Sequence, residues 1–279
     1  MTPVALTTVD ADRVVFRLAD PEGRLVGVRL WCEVPVAGRD FVRVRHGWEL
    51  EVPLPTAHRV EYLFEVTTGA DTASIVDPGN PLRVAGVFGD HSWLPMPGYR
   101  EPAWLDAPRA TSERVPVEFT TSVGPVTGSL WAPQATAPTE QLPLLISHDG
   151  SQMDQFGDLT GYLAAAIEAA TLPHCRVLLL DPGPRDERYG ANPAYSAALV
   201  REVLPRIVDA AATLGRPVLM GQSLGALAAL HAARRFPGTF GGLFLQSGSF
   251  FTPTLDPQES HFSRFAEVTG FVSTLYSTP

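Results

Sequence analysis

Gly221-Gln222-Ser223-Leu224-Gly225 follows the short apolar run Pro217–Met220 and opens an alanine-rich stretch, Ala226–Arg235. A strand, a five-residue G-x-S-x-G and a helix is the context in which a serine sits on a sharp turn with its hydroxyl held above a sheet. That turn strains the serine backbone, so its neighbours must be small. Glycine supplies this at both ends, and Ala226, Ala228 and Ala229 let the helix lie close to the sheet. The competing reading is a chance glycine turn, because the bare pentapeptide is common. The strand before and the helix after favour a nucleophile, Ser223.

Working outward, strands alternate with helices from about residue 112. Val115–Thr120 and Gly128–Ala132 read as a hairpin. Pro143–Ser147 and Cys175–Leu180 are continuous apolar runs, as strands buried on both faces should be. Leu159–Ala170 and Tyr195–Leu214 read as helices, and Leu243–Gln246 as the strand after the elbow. The alternation predicts an α/β-hydrolase domain over 112–279, with a mostly parallel sheet and helices on both faces.

Residues 1–100 read as all-β. Arg13–Leu18, Leu25–Trp31, Phe41–Arg45, Trp48–Val52 and Arg59–Val66 alternate apolar with polar, separated by Gly, Pro and Asp. Short strands at that spacing predict an immunoglobulin-like sandwich. The stretch Asp77–Pro108 is rich in Pro, Gly and Trp without a period and reads as an ordered connector, with 101–111 as the linker.

At 279 residues the chain has room for two domains and a large core. A net charge of −9 argues against nucleic acid or an anionic membrane as partner. No apolar run reaches the roughly 20 residues of a membrane span. Met1 leads to Asp10 and Asp12 without a basic segment, and Cys32 and Cys175 fall in different predicted domains, so a cytoplasmic location is expected. All 21 basic residues are arginine, which excludes a phosphate-loop lysine and Schiff-base chemistry. With no HExxH and no Cys/His ligand spacing, neither a metal nor a cofactor is expected.

Acyl transfer needs an oxyanion hole. One donor is the N–H of Leu224; the other is expected from the loop Ser147–Ser151, first from Ser151 and otherwise from Gly150. The alternative is that these residues only cap the next element. His148 borders that loop, where it could touch substrate or simply pack. Arg185, Arg188 and Asn192 follow the fourth strand at its carboxyl end, where open α/β sheets bind ligands. A loop gripping a small anionic or aromatic ester competes there with a solvated cluster neutralised by Asp186 and Glu187.

The acid and the histidine of a triad come after the serine in such folds. His231 lies inside the elbow helix, and His261 lies in a Pro/Asp/Ser-rich stretch without a later strand to present it. Both read as ordinary histidines. The acid and the base are therefore expected beyond residue 279, and the chain as written is expected to be nearly inactive.

Leu144–Gly150, the loop from Arg185 to Asn192-Pro-Ala-Tyr195, Glu202–Pro205, the elbow and Gln246–Phe250 together resemble the enterochelin esterase family in order and spacing. Tyr62-Leu-Phe64, Asp77–Pro81 and Pro97-Gly98 extend the resemblance over residues 10 to 250. Arg188 stands where that family usually has glutamate. The resemblance implies a cytoplasmic serine esterase acting on ferric catecholate siderophores such as enterobactin for iron release. It also implies an acid and a histidine carried in a C-terminal segment. A general acyl esterase of the same fold and a catalytically incomplete binding protein are the alternatives.

Overall fold

The computed structural model describes residues 6–54, 56–107 and 112–250. The chain divides into two compact units, residues 1–102 and 103–279.

The first unit holds β1 (Thr8–Asp10), β2 (Arg13–Ala19), β3 (Gly27–Cys32), β4 (Val42–Val44), β5 (Gly47–Pro53), β6 (Arg59–Thr68), β7 (Asp71–Ile75), β8 (Arg83–Val84) and β9 (His91–Pro95). They form two antiparallel sheets, β1-β2-β5-β4 and β3-β6-β9-β8, with β7 also paired to β6. Alternation decides which side chains face inward. In β6, Val60, Tyr62, Phe64 and Val66 are buried while the residues between them are not. They share one core with Phe16 of β2 and Leu30 of β3, so the sheets lie face to face. Phe16 meets Tyr62 edge-on at 4.9 Å between ring centroids. Burying each such side chain stabilises by roughly 1.5–3 kcal/mol, more than strand propensity contributes.

The expected connector from Asp77 is instead part of this unit, since it contributes β8 and β9. The alternation of β9 is hidden in the sequence because one inward position is Ser92, fully buried and accepting a hydrogen bond from the Asp77 N–H at 2.8 Å. Asp77 is itself buried and accepts from Tyr62 Oη and Thr7 Oγ1, both at 2.7 Å.

The second unit contains β10 (Arg114–Thr121), β11 (Gly124–Trp131), β12 (Leu144–Ser147), α1 (Gly150–Gly157), α2 (Leu159–Glu168), β13 (Arg176–Leu180), α3 (Arg185–Tyr189), α4 (Pro193–Ala198), α5 (Leu204–Ala210), β14 (Val218–Gln222), α6 (Leu224–Arg235) and β15 (Gly242–Gln246). The sheet order is β10-β11-β13-β12-β14-β15. Among the described residues the sheet is mixed, with three of its five strand pairs parallel. The pairs β12–β13, β12–β14 and β14–β15 are parallel, whereas the hairpin β10–β11 and its pairing to β13 are antiparallel. A hairpin returns the chain at once, so β11 must meet its neighbours head to tail.

Helices cover both faces. Leu178 and Leu180 of β13 pack with Leu204 and Ile207 of α5, while Val177 and Leu179 point the other way, towards Leu163 of α2. The expected helix Tyr195–Leu214 is interrupted: α4 passes through a π-helical turn, Leu199–Val203, into α5. Pro205 has no N–H to donate, and a widened turn keeps its ring clear of the preceding carbonyls. The last residues leave the helix because Leu214 N–H donates to the Leu142 carbonyl at 2.8 Å. Among the described residues no helix is long and apolar enough to cross a membrane.

Candidate active site

β13, β12, β14 and β15 run parallel, so their carboxyl ends lie along one edge of the sheet. Arg185, Gly150, Ser223 and Ser249 each follow one of those ends.

Between β14 and α6, Ser223 has φ 55° and ψ −122°, a conformation that L residues rarely adopt. The turn closes because a Cβ on Gly221 would lie 2.2 Å from the Gly225 carbonyl carbon. One on Gly225 would lie 3.1 Å from both Asp149 Oδ2 and His148 Cβ. The elbow is thereby pressed onto the loop after β12. Its helix, α6, is buried from Gly225 to Ala232, and small side chains make that approach possible.

Ser223 is half-buried and tied to the end of β15. Its N–H donates to the Gln246 carbonyl at 3.0 Å, and its carbonyl accepts from the Ser249 N–H at 3.1 Å. The Ser223 and Ser249 hydroxyl oxygens lie 3.0 Å apart and share a hydrogen bond. Ser249 did not emerge from the sequence as a site residue. The available signal was a small-residue run, Gln246–Phe250, leaving the strand beside the elbow strand.

Two helix N-termini lie beside one another, α1 beginning at Gly150 after β12 and α6 at Leu224 after the adjacent β14. Each carries unpaired N–H groups and a partial positive charge. Gly150 is forced by packing: a Cβ there would sit 2.3 Å from Leu179 Cα. Ser151 next to it is exposed.

The other polar residues separate into two groups. Arg185 stays at the edge, its side chain 33% exposed and its guanidinium held by Asp149. That pairing places desolvation and charge in opposition, and the Asp149 hydrogen bonds win, raising the Arg185 pKa.

His148, Arg188 and Asn192 are not presented to a ligand. His148 is fully buried, with Nδ1 3.3 Å from the Met220 carbonyl and its ring edge-on to Tyr189 at 4.9 Å. Burial lowers its pKa to about 4, against the opposing pull of the Met220 carbonyl and Asp149. Arg188 is 6% exposed and donates from Nη2 to the Pro125 carbonyl at 2.7 Å. Its guanidinium fills the space left by Gly183, where a Cβ would come 2.3 Å from Nη1. Asn192 caps α4, its Oδ1 accepting from the Ala194 and Tyr195 N–H groups. Its Nδ2 donates to Glu187. The expected loop is thus in part a short helix and a cap, because internal acceptors claim those donors. His231 is buried on α6 with Nδ1 2.8 Å from Ser196 Oγ, and His261 lies outside the described residues.

A family model described as "Putative esterase" matches residues 123–267. An iron(III) enterobactin esterase of Escherichia coli O6:H1 is 30% identical over 221 residues, covering 77% of this chain and 51% of the relative. One from Dickeya dadantii is 36% identical over 121 residues, covering 41% of this chain and 28% of the relative. The chain spans about half the length of the Escherichia coli relatives it matches. In fold it is similar to the crystal structure of the ferric enterobactin esterase of Salmonella typhimurium, with a TM-score of 0.70 at 24% identity over 88% of this chain and 75% of that one. The enterochelin esterase of Shigella flexneri gives 0.68 at 22% identity, over 91% and 75%. The second unit has an α/β-hydrolase-like fold, and the chain belongs to the esterase family that the matching model describes.

Proposed function

We propose that Ser223 is the nucleophile of a serine esterase that cleaves the ester bonds of a ferric catecholate siderophore such as enterobactin. The observation that carries this reading is the strained Ser223 backbone, held by glycines at a junction of two helix N-termini. In the reaction Ser223 Oγ adds to the ester carbonyl carbon while its proton passes to a general base. The carbonyl oxygen becomes an oxyanion, and collapse expels the alcohol with a proton. Water then repeats the addition on the acyl-serine and releases the acid. The Leu224 N–H and that of Ser151 or Gly150 are the proposed oxyanion donors, each contributing on the order of 3 kcal/mol to the transition state. The base is neither His148, turned into the core, nor His231, bonded to Ser196.

The substrate class rests on the relatives named iron(III) enterobactin esterase and on a similar Shigella flexneri structure described in the presence of enterobactin. Arg185 is the residue we assign to the anionic catecholate, since it is oriented by Asp149 yet reaches solvent and combines charge with a planar face. A general acyl esterase is the weaker reading, because those relatives share one substrate. Free Cys32 and Cys175 support a cytoplasmic site of action. The paired antiparallel sheets support an immunoglobulin-like first unit.

The test compares hydrolysis of ferric enterobactin and p-nitrophenyl butyrate by the full-length protein and by Ser223→Ala. Loss of both activities in the variant, with kcat/KM favouring the siderophore in the parent, is expected. Full activity of Ser223→Ala would overturn the assignment.

A further inference from the structure

The geometry points to Ser249 as a positioning residue that holds the Ser223 hydroxyl in its attacking rotamer. This inference rests on the reading of Ser223 as nucleophile. Three hydrogen bonds join the two residues' segments: Ser223 N–H to the Gln246 carbonyl, Ser249 N–H to the Ser223 carbonyl, and the shared hydroxyl pair at 3.0 Å. The first two fix the backbones. The third has no part in the sheet ladder, since β15 ends at Gln246.

Ser249 is 2% exposed, so water has little access to compete for that bond. Ser247, with φ 45°, turns the chain back after β15 and brings Ser249 over the elbow. A half-exposed serine hydroxyl otherwise samples three staggered wells. Holding one of them raises the reactive fraction up to about threefold.

The direction of the bond follows from the chemistry. Ser223 surrenders its proton during attack, so at that moment Ser249 O–H donates and Ser223 Oγ accepts. Because the charge of the adduct builds on the carbonyl oxygen, the bond acts by orienting Ser223 Oγ and not by stabilising charge. Ser249 therefore acts on the rate of bond formation and leaves ligand binding alone. No bond to Ser249 is made or broken.

The experiment measures inactivation of the full-length protein by a fluorophosphonate, with the adduct mapped by mass spectrometry, in the parent and in Ser249→Ala. The expected result is a kinact lower by about threefold in Ser249→Ala, with KI and Tm unchanged and the adduct still on Ser223. An unchanged kinact, with the parent labelled at Ser223, overturns the positioning role and leaves the esterase reading standing. A slower reaction that tracks a fall in Tm and a shifted KI also overturns it, because a merely structural serine would behave in that way. A parent that takes no label on Ser223 overturns the esterase reading, and the inference with it.

Discussion

The guanidinium of Arg185 grips the Asp149 carboxylate through two parallel hydrogen bonds, Nε to Oδ1 at 2.9 Å and Nη2 to Oδ2 at 2.8 Å. The pair is asymmetric in exposure: the Asp149 side chain is 9% exposed and that of Arg185 33%. Removing one partner of a buried pair leaves the other charge uncompensated.

Arg185→Ala is expected to cost about 3 kcal/mol, because it strands the buried carboxylate. Asp149→Asn should cost less, since Arg185 can turn towards water. Urea unfolding of the two variants checks the order, and equal losses would show that burial of Asp149 does not govern the pair.

The two elbow glycines should respond differently to alanine. At Gly221 the added Cβ meets backbone at 2.2 Å, which no side-chain motion relieves. At Gly225 the contacts are longer, 3.1 Å from Asp149 Oδ2 and His148 Cβ, and a shift of a few tenths of an ångström relieves them. Gly221→Ala is expected to lose about 3 kcal/mol or more and Gly225→Ala about 1 kcal/mol. Denaturant midpoints decide it.

Ser223→Gly should abolish esterase activity and yet be more stable than Ser223→Ala, which loses the same hydrogen bond to Ser249. The Ser223 backbone is strained by about 1–3 kcal/mol, while glycine costs about 0.5–1 kcal/mol in unfolded-state entropy. A gain of about 1 kcal/mol over Ser223→Ala follows, readable as a higher Tm. A Tm no higher than that of Ser223→Ala would mean that the serine is not strained.

His148 should make stability fall in mild acid. Its folded pKa, about 4, lies below its ordinary 6.5, so the unfolded chain binds the proton more readily. Above pH 6.5 the histidine is neutral in both states and its contribution is complete; it is lost as the pH drops from 6.5 towards 4. The full loss is on the order of 3 kcal/mol. His148→Asn keeps a donor for the Met220 carbonyl but cannot titrate. Urea unfolding at pH 7 and pH 4.5 is expected to show a smaller acid loss in that variant than in the parent.

The elbow was legible in the sequence because its requirements are local. A tight turn needs Gly221 and Gly225 in fixed positions, and a close helix needs Ala226, Ala228 and Ala229. The buried strands β12 and β13 were legible because burial on both faces leaves an unbroken apolar run. Polar residues were harder to read, since whether a donor serves a ligand or the fold depends on partners distant in sequence. Arg188 finds the Pro125 carbonyl and His148 finds Met220, far along the chain in each case. Ser249 was missed for the converse reason, as its partner is the proposed nucleophile itself. The widened turn at Leu199–Val203 could have been suspected from Pro205, which sits inside an otherwise helical pattern.

Among the described residues β15 stands last in the sheet order, and it is this strand's end that ties down Ser223. Ser223 is thus anchored from two sides: the end of β15 fixes its hydroxyl and carbonyl, while the glycines of β14 and α6 hold its strained backbone. A change at Ser249 would therefore loosen the Ser223 hydroxyl while leaving the strained turn in place.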